Sequence, residues 1–222
     1  MSYQWNWGVF LQPSASGDDT YLGWMLAGFK MTITLSLTAW VLALLLGALI
    51  GVLRTVPNKA LAGFATGYVE LFRNVPLLVQ LFIWYFVLPE LLPESIGNAY
   101  KQSNPMLQQF LASMVCLALF TSARVAEQVR SGINSLPRGQ KNAGLALGFT
   151  LPQTYRFVML PMAFRLVVPP LTSEFLNIFK NSAVCSTIGL MELAAQGRQL
   201  VDYTAQPYES FIAVTLSYIA IN

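Results

Sequence analysis

From Met31 to Leu53 the chain carries no charged side chain, and Lys30 and Arg54 bracket the run. About 20 mostly apolar residues are enough for a helix to cross a hydrocarbon core roughly 30 Å thick. In lipid the backbone has to satisfy its own polar groups, so a lone run of this kind can only be a helix. Met106 to Ala123 is a second such run, if the polar residues just before it join the helix. Apolar residues make up 55% of the chain and charged residues 10%, against roughly 45–50% and about 25% in a soluble domain. The expectation is an all-α integral membrane protein, with residues 1–222 forming a single transmembrane domain.

Three weaker spans complete the expected set of five. One starts near Ala60 and runs to Leu88, interrupted by Glu70 and Arg73. Another runs from about Pro161 to Lys180 and is broken by Pro169-Pro170. The last begins near Glu209 and stops at Asn222, too soon to cross a bilayer, so the chain reads as cut short within its last helix. Met1 to Leu11 has no basic n-region, so no signal peptide is expected; Trp5, Trp7 and Phe10 read as an interfacial aromatic anchor.

The segment Asn142 to Pro161 is different in kind. It is amphipathic: Ala143, Leu145, Ala146, Leu147 and Phe149, a Leu151-Pro152 break, then Tyr155, Phe157, Val158 and Leu160, with Arg138, Lys141, Arg156 and Arg165 around it. A segment too polar for lipid but with an apolar face wants a protein surface to lie on. If it is cytoplasmic, Arg54, Lys59, Arg73, Arg124, Arg130, Arg138, Lys141, Arg156 and Arg165 fall on or toward that side. Lys30, Lys101, Lys180 and Arg198 fall outside or at depth. Basic residues concentrate on the cytoplasmic side of membrane proteins, which places the N-terminus outside. The net charge of +3 reflects that rule and gives no nucleic-acid signal.

Missing chemistry narrows the field. There is no His, which removes His-ligated haem, His-based zinc sites and His proton relays. Cys116 and Cys185 lie in apolar contexts, as small packing residues. No Gly-rich phosphate loop followed by Lys occurs, so this chain does not bind ATP in the usual way. Neither an enzyme, nor a metal site, nor a cofactor of its own is expected.

Two polar groups of residues sit where a membrane should be. In ELFRNVPLLVQLF, helical spacing places Glu70, Arg73, Asn74 and Leu77 on one face, with Pro76 within the helix. Two readings stand: a self-neutralising Glu70–Arg73 pair, or a polar face lining a pathway. In SEFLNIFKNSA, Glu174, Asn177, Lys180 and Asn181 fall within about a third of the circumference. Lys180 either snorkels to the interface or lines a site in a discontinuous helix. Gly47/Gly51 and Gly63/Gly67 are each spaced for close helix approach, within the chain or with a partner. Glu127 and Arg130, one turn apart, are expected to pair at the membrane surface.

Taken together these motifs resemble the polar amino-acid branch of bacterial ATP-binding-cassette permeases, from about Lys30 to the end of the chain. The resemblance lies in Glu70, Arg73 and Pro76 to Gln80; in Glu127, Arg130, Ile133, Pro137, Gly139 and Gln140; and in Lys180 to Val184, Ile188-Gly189 and Glu192-Leu193. The family's loop signature is met by Ala143, Gly148, Leu160 and Pro161, with Asn142, Gly144 and Val158 as departures. Within the branch, the opening WNWGVFL and the unusual TSARVAEQVR are most similar to permeases of glutamate/aspartate importers.

The resemblance implies a five-helix type I importer core and partners: a periplasmic amino-acid-binding protein, a second permease subunit, and a dimeric ATP-binding subunit that carries ATP and Mg. It implies that Asn142 to Pro161 holds a coupling helix seated on the ATPase. It further implies that Glu70, Arg73, Asn74, Leu77, Glu174, Asn177, Lys180 and Asn181 line the substrate path. Many relatives have Asp where this chain has Asn181, and losing that charge suits an acidic substrate. The alternatives are an ion-driven secondary transporter or channel subunit, which does not need the amphipathic segment, and an insertase-like subunit, which leaves the Glu174 to Asn181 face unexplained.

Overall fold

A computed structural model describes residues 3–17 and 19–222. Among these, all regular structure is helical: α1 (Tyr21–Leu53), α2 (Lys59–Asn74), α3 (Leu77–Phe82), α4 (Leu88–Leu91), α5 (Glu94–Lys101), α6 (Pro105–Asn134), α7 (Arg138–Ala146), α8 (Leu151–Thr154), α9 (Leu160–Asn181), α10 (Leu193–Thr204) and α11 (Pro207–Ile221). A π-turn at Ile83–Val87 joins α3 to α4, and another at Tyr155–Met159 joins α8 to α9. Helices α1 and α6 are long and apolar enough to span a membrane, and the broken α2 with the following Leu77–Leu91 counts as a third span if taken as one. Helix α9 carries Arg165, Glu174 and Lys180, and α11 has 15 residues.

Several boundaries differ from the sequence expectation: α1 starts at Tyr21, before Met31, and α6 runs on to Asn134, past Ala123. Pro76 does not lie inside a helix: α2 ends at Asn74, and Val75 is extended (φ −92°, ψ 129°). The ring of a proline disfavours helical backbone in the residue before it, and Val75 meets that constraint by ending the helix. Leu77 therefore starts α3 and does not continue the Glu70 face. Pro169 and Pro170 both lie inside a continuous α9. Their fixed φ is already helical, so each costs hydrogen bonding rather than the helical path, and a full break would strand more backbone groups in lipid. The change of helix type comes after Asn181, where Ser182–Ile188 tightens to a 3₁₀ helix. The hydroxyls of Ser182, Ser186 and Thr187 donate there to the carbonyls of Phe179, Ala183 and Val184, each at 2.7 Å. Finally, the helix leading into α9 begins at Leu151, not at Pro161.

Contacts divide the chain into two units, Met1–Ala39 with Leu77–Leu117 and Ile178–Asn222, and Trp40–Pro76 with Ala118–Asn177. In the first, Val9, Tyr21, Met25, Leu193, Leu200 and Val214 form the apolar core. Its polar pin is Glu192, fully buried, which caps α10 by accepting from the N–H groups of Ala194 (3.0 Å) and Ala195 (2.8 Å) and also accepts from Tyr218 Oη (2.9 Å). Four orphan donors open every helix, and a carboxylate there meets both the donors and the helix dipole. A second pin, buried Glu209, accepts from Tyr3 Oη and from the Asn6 N–H (2.5 Å), holding the aromatic N-terminal segment against the start of α11.

In the second unit the Gly47/Gly51 seam of α1 lies against α6. A Cβ at Gly47 would stand 2.6 Å from the Ser122 carbonyl oxygen, and one at Gly51 2.7 Å from that of Ala126. Small residues let the two backbones approach this closely. The other pair, Gly63 and Gly67 on α2, has nothing within 4 Å of a built Cβ. The opposite face of α2 packs Ala65 and Val69 against Ile50, Ala123 and Ala126, and Tyr68 shares a 2.6 Å hydrogen bond with Ser122.

Candidate functional site

The amphipathic segment folds as two pieces joined by a tight turn. Helix α7 ends in a double hydrogen bond: the Gly148 N–H donates to Leu145 O (3.0 Å) and the Phe149 N–H to Gly144 O (3.2 Å). This is the Schellman arrangement, whose turning residue needs positive φ, and Gly148 has φ +85°. Nothing lies within 4 Å of a Cβ at Gly148, so within this chain glycine serves backbone conformation and not close contact. At the entry to α8 the Gln153 side chain accepts from the Thr150 N–H (2.8 Å). Gly144 packs on buried Thr154, where a Cβ would come within 2.8 Å of the side chain. Tyr155 Oη donates to Thr55 O (2.8 Å), and Tyr155 and Met159 pack with Ile133 and Ala163.

Of the residues expected to make the coupling contact, Asn142, Ala143, Gly148 and Pro161 are exposed, Val158 and Leu160 are half-buried, and Gly144 is buried against Thr154. Val158, Leu160 and Pro161 belong to the helix continuing into α9. The apolar residues left in the open are Leu147 (77% exposed), Leu145, Phe149 and Phe157, with the Arg156 guanidinium 5.4 Å from the Phe157 ring centre. Leu147 and Phe149 flank Gly148, so the turn presents its apolar side chains outward. A cavity of about 490 Å³ lies behind α7, lined by Thr55, Ile133, Asn134, Lys141, Asn142 and Tyr155 among others.

The self-neutralising Glu70–Arg73 pair, one of the two readings of this face, does not form. Glu70 accepts from Asn74 Nδ2 (3.1 Å) within the exposed face of α2. Arg73 turns instead to Glu127 on α6, at 3.4 Å. Glu127 also takes Arg130, one turn along its own helix as the sequence suggests, and Arg54 from the end of α1. The Arg54 side chain is only 8% exposed. One carboxylate thus ties the ends of α1, α2 and α6, at positions 73 and 54 residues away from it, which no local spacing announces.

On α9, Glu174, Asn177, Lys180 and Asn181 follow one another along a single continuous helix, from buried Glu174 through half-buried Asn177 and Asn181 to exposed Lys180. Phe175, half-buried, meets Trp40 edge-on at 5.3 Å, while Ile178 and Phe179 are buried, as the apolar face requires. Glu174 is 9% exposed and has no hydrogen-bond or ion-pair partner among the described residues. The described residues contain no cluster of His, Cys, Asp and Glu fit to hold a metal ion.

The family described as the binding-protein-dependent transport system inner membrane component matches residues 43–222. The glutamate/aspartate import permease protein GltJ of Escherichia coli (strain K12) is 60% identical over 223 residues, covering 100% of this chain and 91% of that one. The probable glutamine ABC transporter permease protein GlnM of Bacillus subtilis (strain 168) is 34% identical, over 88% of this chain and 85% of its own. Among solved structures, an amino acid ABC transporter crystallised with histidines superimposes with a TM-score of 0.76 at 30% identity, covering 90% of this chain and 88% of that chain. The inward-facing MetNI methionine ABC transporter shares the fold, with a TM-score of 0.68 at 22% identity over 89% and 91%. The apolar helices, the outward-turned loop and these matches lead to one conclusion: the chain belongs to the binding-protein-dependent transport system inner membrane components and is a multi-pass inner-membrane protein.

Proposed function

We propose that this chain is the permease subunit of an ATP-binding-cassette importer that moves glutamate or aspartate from periplasm to cytoplasm. The observation that carries the reading is 60% identity along the whole chain to a glutamate/aspartate import permease. Like that protein it is a conduit and not an enzyme. ATP and Mg belong to a separate dimeric ATPase, and a second permease subunit completes the membrane path. A partner of this kind is suggested by the 28% identity, over 99% of this chain, to the glutamate/aspartate import permease protein GltK of Escherichia coli. A periplasmic binding protein delivers the substrate. The N-terminus faces the periplasm, and five helices form the core.

Three features support the mechanism. The exposed Leu147 and Phe149, held by the Gly148 turn, suit a groove on the ATPase. Gly144 on Thr154 and Tyr155 on Thr55 tie that turn to the helix entering α9 and to the end of α1, so a push on the turn reaches the spans. The Glu174 to Asn181 face of α9, with Glu70 and Asn74 on α2, supplies polar groups for the path. ATP-driven closure would then bias two states of the spans, without chemistry in this chain.

The test is to purify the chain with its partners in nanodiscs. ATP hydrolysis should rise when glutamate-loaded binding protein is added, and no rise with either glutamate or aspartate refutes the assignment. Orientation is tested with single Cys probes at Ser95 and Ser135 in a background lacking Cys116 and Cys185. Labelling from opposite sides is expected, and labelling from the same side overturns the topology.

A further inference from the structure

We propose that the groove between the N-terminal half of α1 and the start of α6 binds an anionic phospholipid, with the headgroup at Lys30 and an acyl chain along Met31, Leu107 and Phe110. The proposal rests on α1 and α6 crossing the membrane and not on the identity of the substrate.

The groove has a volume of about 680 Å³, within the roughly 300–1,000 Å³ of small-ligand sites. It is lined by Lys30 and Met31 of α1 and by Asn104, Met106, Leu107 and Phe110 at the start of α6, among others. Met106 is 55% and Leu107 47% exposed, so the described residues leave the groove uncovered. Lys30 is its only charged lining residue. The Lys30 side chain is exposed and makes no hydrogen bond or ion pair among the described residues, whereas Lys101 is held by Glu90 at 2.6 Å.

Charge and amide are gathered at one end. Gly47 meets Ser122 and Gly51 meets Ala126, so the two helices run in the same direction. The same offset brings Lys30 level with Pro105, next to Asn104. The Asn104 side-chain oxygen accepts from the Met106 N–H (2.8 Å), which leaves its amide N–H groups to donate. Phe110 lies roughly 9 Å further along α6, at about 1.5 Å per residue. Near the start of α1, Trp24 meets Tyr21 and Tyr203 edge-on at 5.2 and 5.6 Å, and rings of this kind gather at the membrane–water interface. Lys30 follows Trp24 by roughly 9 Å of helix, a depth from which a lysine reaches back to the headgroups. The occupant therefore has to be apolar over most of its length and anionic at its interfacial end, which describes a phospholipid. A partner helix suits the groove less well. Close helix approach needs small residues, whereas Met31, Met106 and Leu107 are long, and unbranched methionines follow a chain that has no fixed shape.

The experiment uses the assembled transporter in nanodiscs of equal parts phosphatidylglycerol and phosphatidylcholine, and native mass spectrometry counts the lipids that stay bound. Wild type should retain phosphatidylglycerol in preference. Lys30→Met should cut that preference by about fivefold, the weight of one cation beside an anionic lipid, and Lys30→Arg should keep it. Lys101→Met removes a cation that already has its anion and should change nothing. Leu107→Trp fills the apolar end and should lower retention of both lipids. A photocrosslinker at Met106 should form lipid adducts. Equal retention of the two lipids by wild type, an unchanged preference in Lys30→Met, or unchanged retention in Leu107→Trp overturns the proposal. An equal loss from Lys101→Met would mean diffuse surface charge, and crosslinks to a second permease subunit would mean a protein contact; either overturns it as well.

Discussion

Two glutamates of the same unit, Glu127 and Glu174, sit in opposite conditions. Glu127 is served by Arg54, Arg73 and Arg130, and its carboxylate joins the ends of α1, α2 and α6. Glu174 is more deeply buried and, among the described residues, makes no hydrogen bond or ion pair. The two glycine pairs repeat the contrast, since Gly47/Gly51 is filled by α6 and Gly63/Gly67 has nothing within 4 Å of an added Cβ among the described residues. A folded chain closes the sites that hold it together. On the function proposed above, a site left open at a cost in desolvation would serve something that arrives from outside, a substrate for the carboxylate or a neighbouring helix for the glycines.

The sharpest way to break this comparison is Glu127→Gln. It leaves Arg54 nearly buried beside two other arginines without their anion. The expected loss approaches the ~3–5 kcal/mol that follows removal of one partner from a buried pair, reduced by solvent screening at the partly exposed carboxylate. Thermal unfolding in detergent should show a large drop for Glu127→Gln and almost none for Glu174→Gln. Equal curves would erase the distinction between them.

Gly47→Val and Gly63→Val sharpen the same contrast in packing. A side chain at Gly47 has to displace the backbone of α6 around Ser122, and overpacking of this sort costs about 1–3 kcal/mol. Gly63→Val meets open space, so unfolding of the isolated chain should not change, whereas pull-down of a second permease subunit should weaken if α2 is where it packs. Loss of stability from Gly63→Val in the isolated chain would mean that the seam is filled from within.

A smaller effect is expected at the turn. Gly148→Ala forces a Cβ into left-handed backbone at roughly 1–2 kcal/mol, concentrated in a loop, so the protein should reach the membrane with normal α1 and α6. Substrate-stimulated ATP hydrolysis should fall while basal hydrolysis by the ATPase persists. Gly148→Asp should lose transport altogether, because it adds a charge to the apolar turn. Import at the normal rate in the Asp variant would remove the coupling role from this turn.

What was legible in the sequence follows the same division. Uncharged runs are local, and they find the end of α1 at Leu53 and the start of α6, but miss the opening of α1 from Tyr21 to Lys30 and the end of α6 beyond Ala123. The Pro76 break and the Gly148 turn are also local signals, but helical spacing reads Pro76 as lying inside a helix, which puts Leu77 on a face it does not share, and Gly148 reads only as a residue of the loop signature. The partners of Glu127 are not local: Arg73 is three positions from Glu70 and yet pairs across to α6, a choice made by helix packing and invisible to spacing. Pro169-Pro170 misled for the opposite reason, since α9 continues through both prolines against the local rule about helix breakers.

The central claim is that Glu174 is left open for substrate. It is tested most directly by ATP-driven uptake of radiolabelled glutamate into proteoliposomes, counted per assembled complex, for wild type and Glu174→Gln. The account predicts that uptake falls at least about tenfold, the equivalent of one charge-assisted hydrogen bond, while assembly and thermal unfolding stay as in wild type. Uptake at the wild-type rate, or a loss explained by fewer assembled complexes, would contradict it.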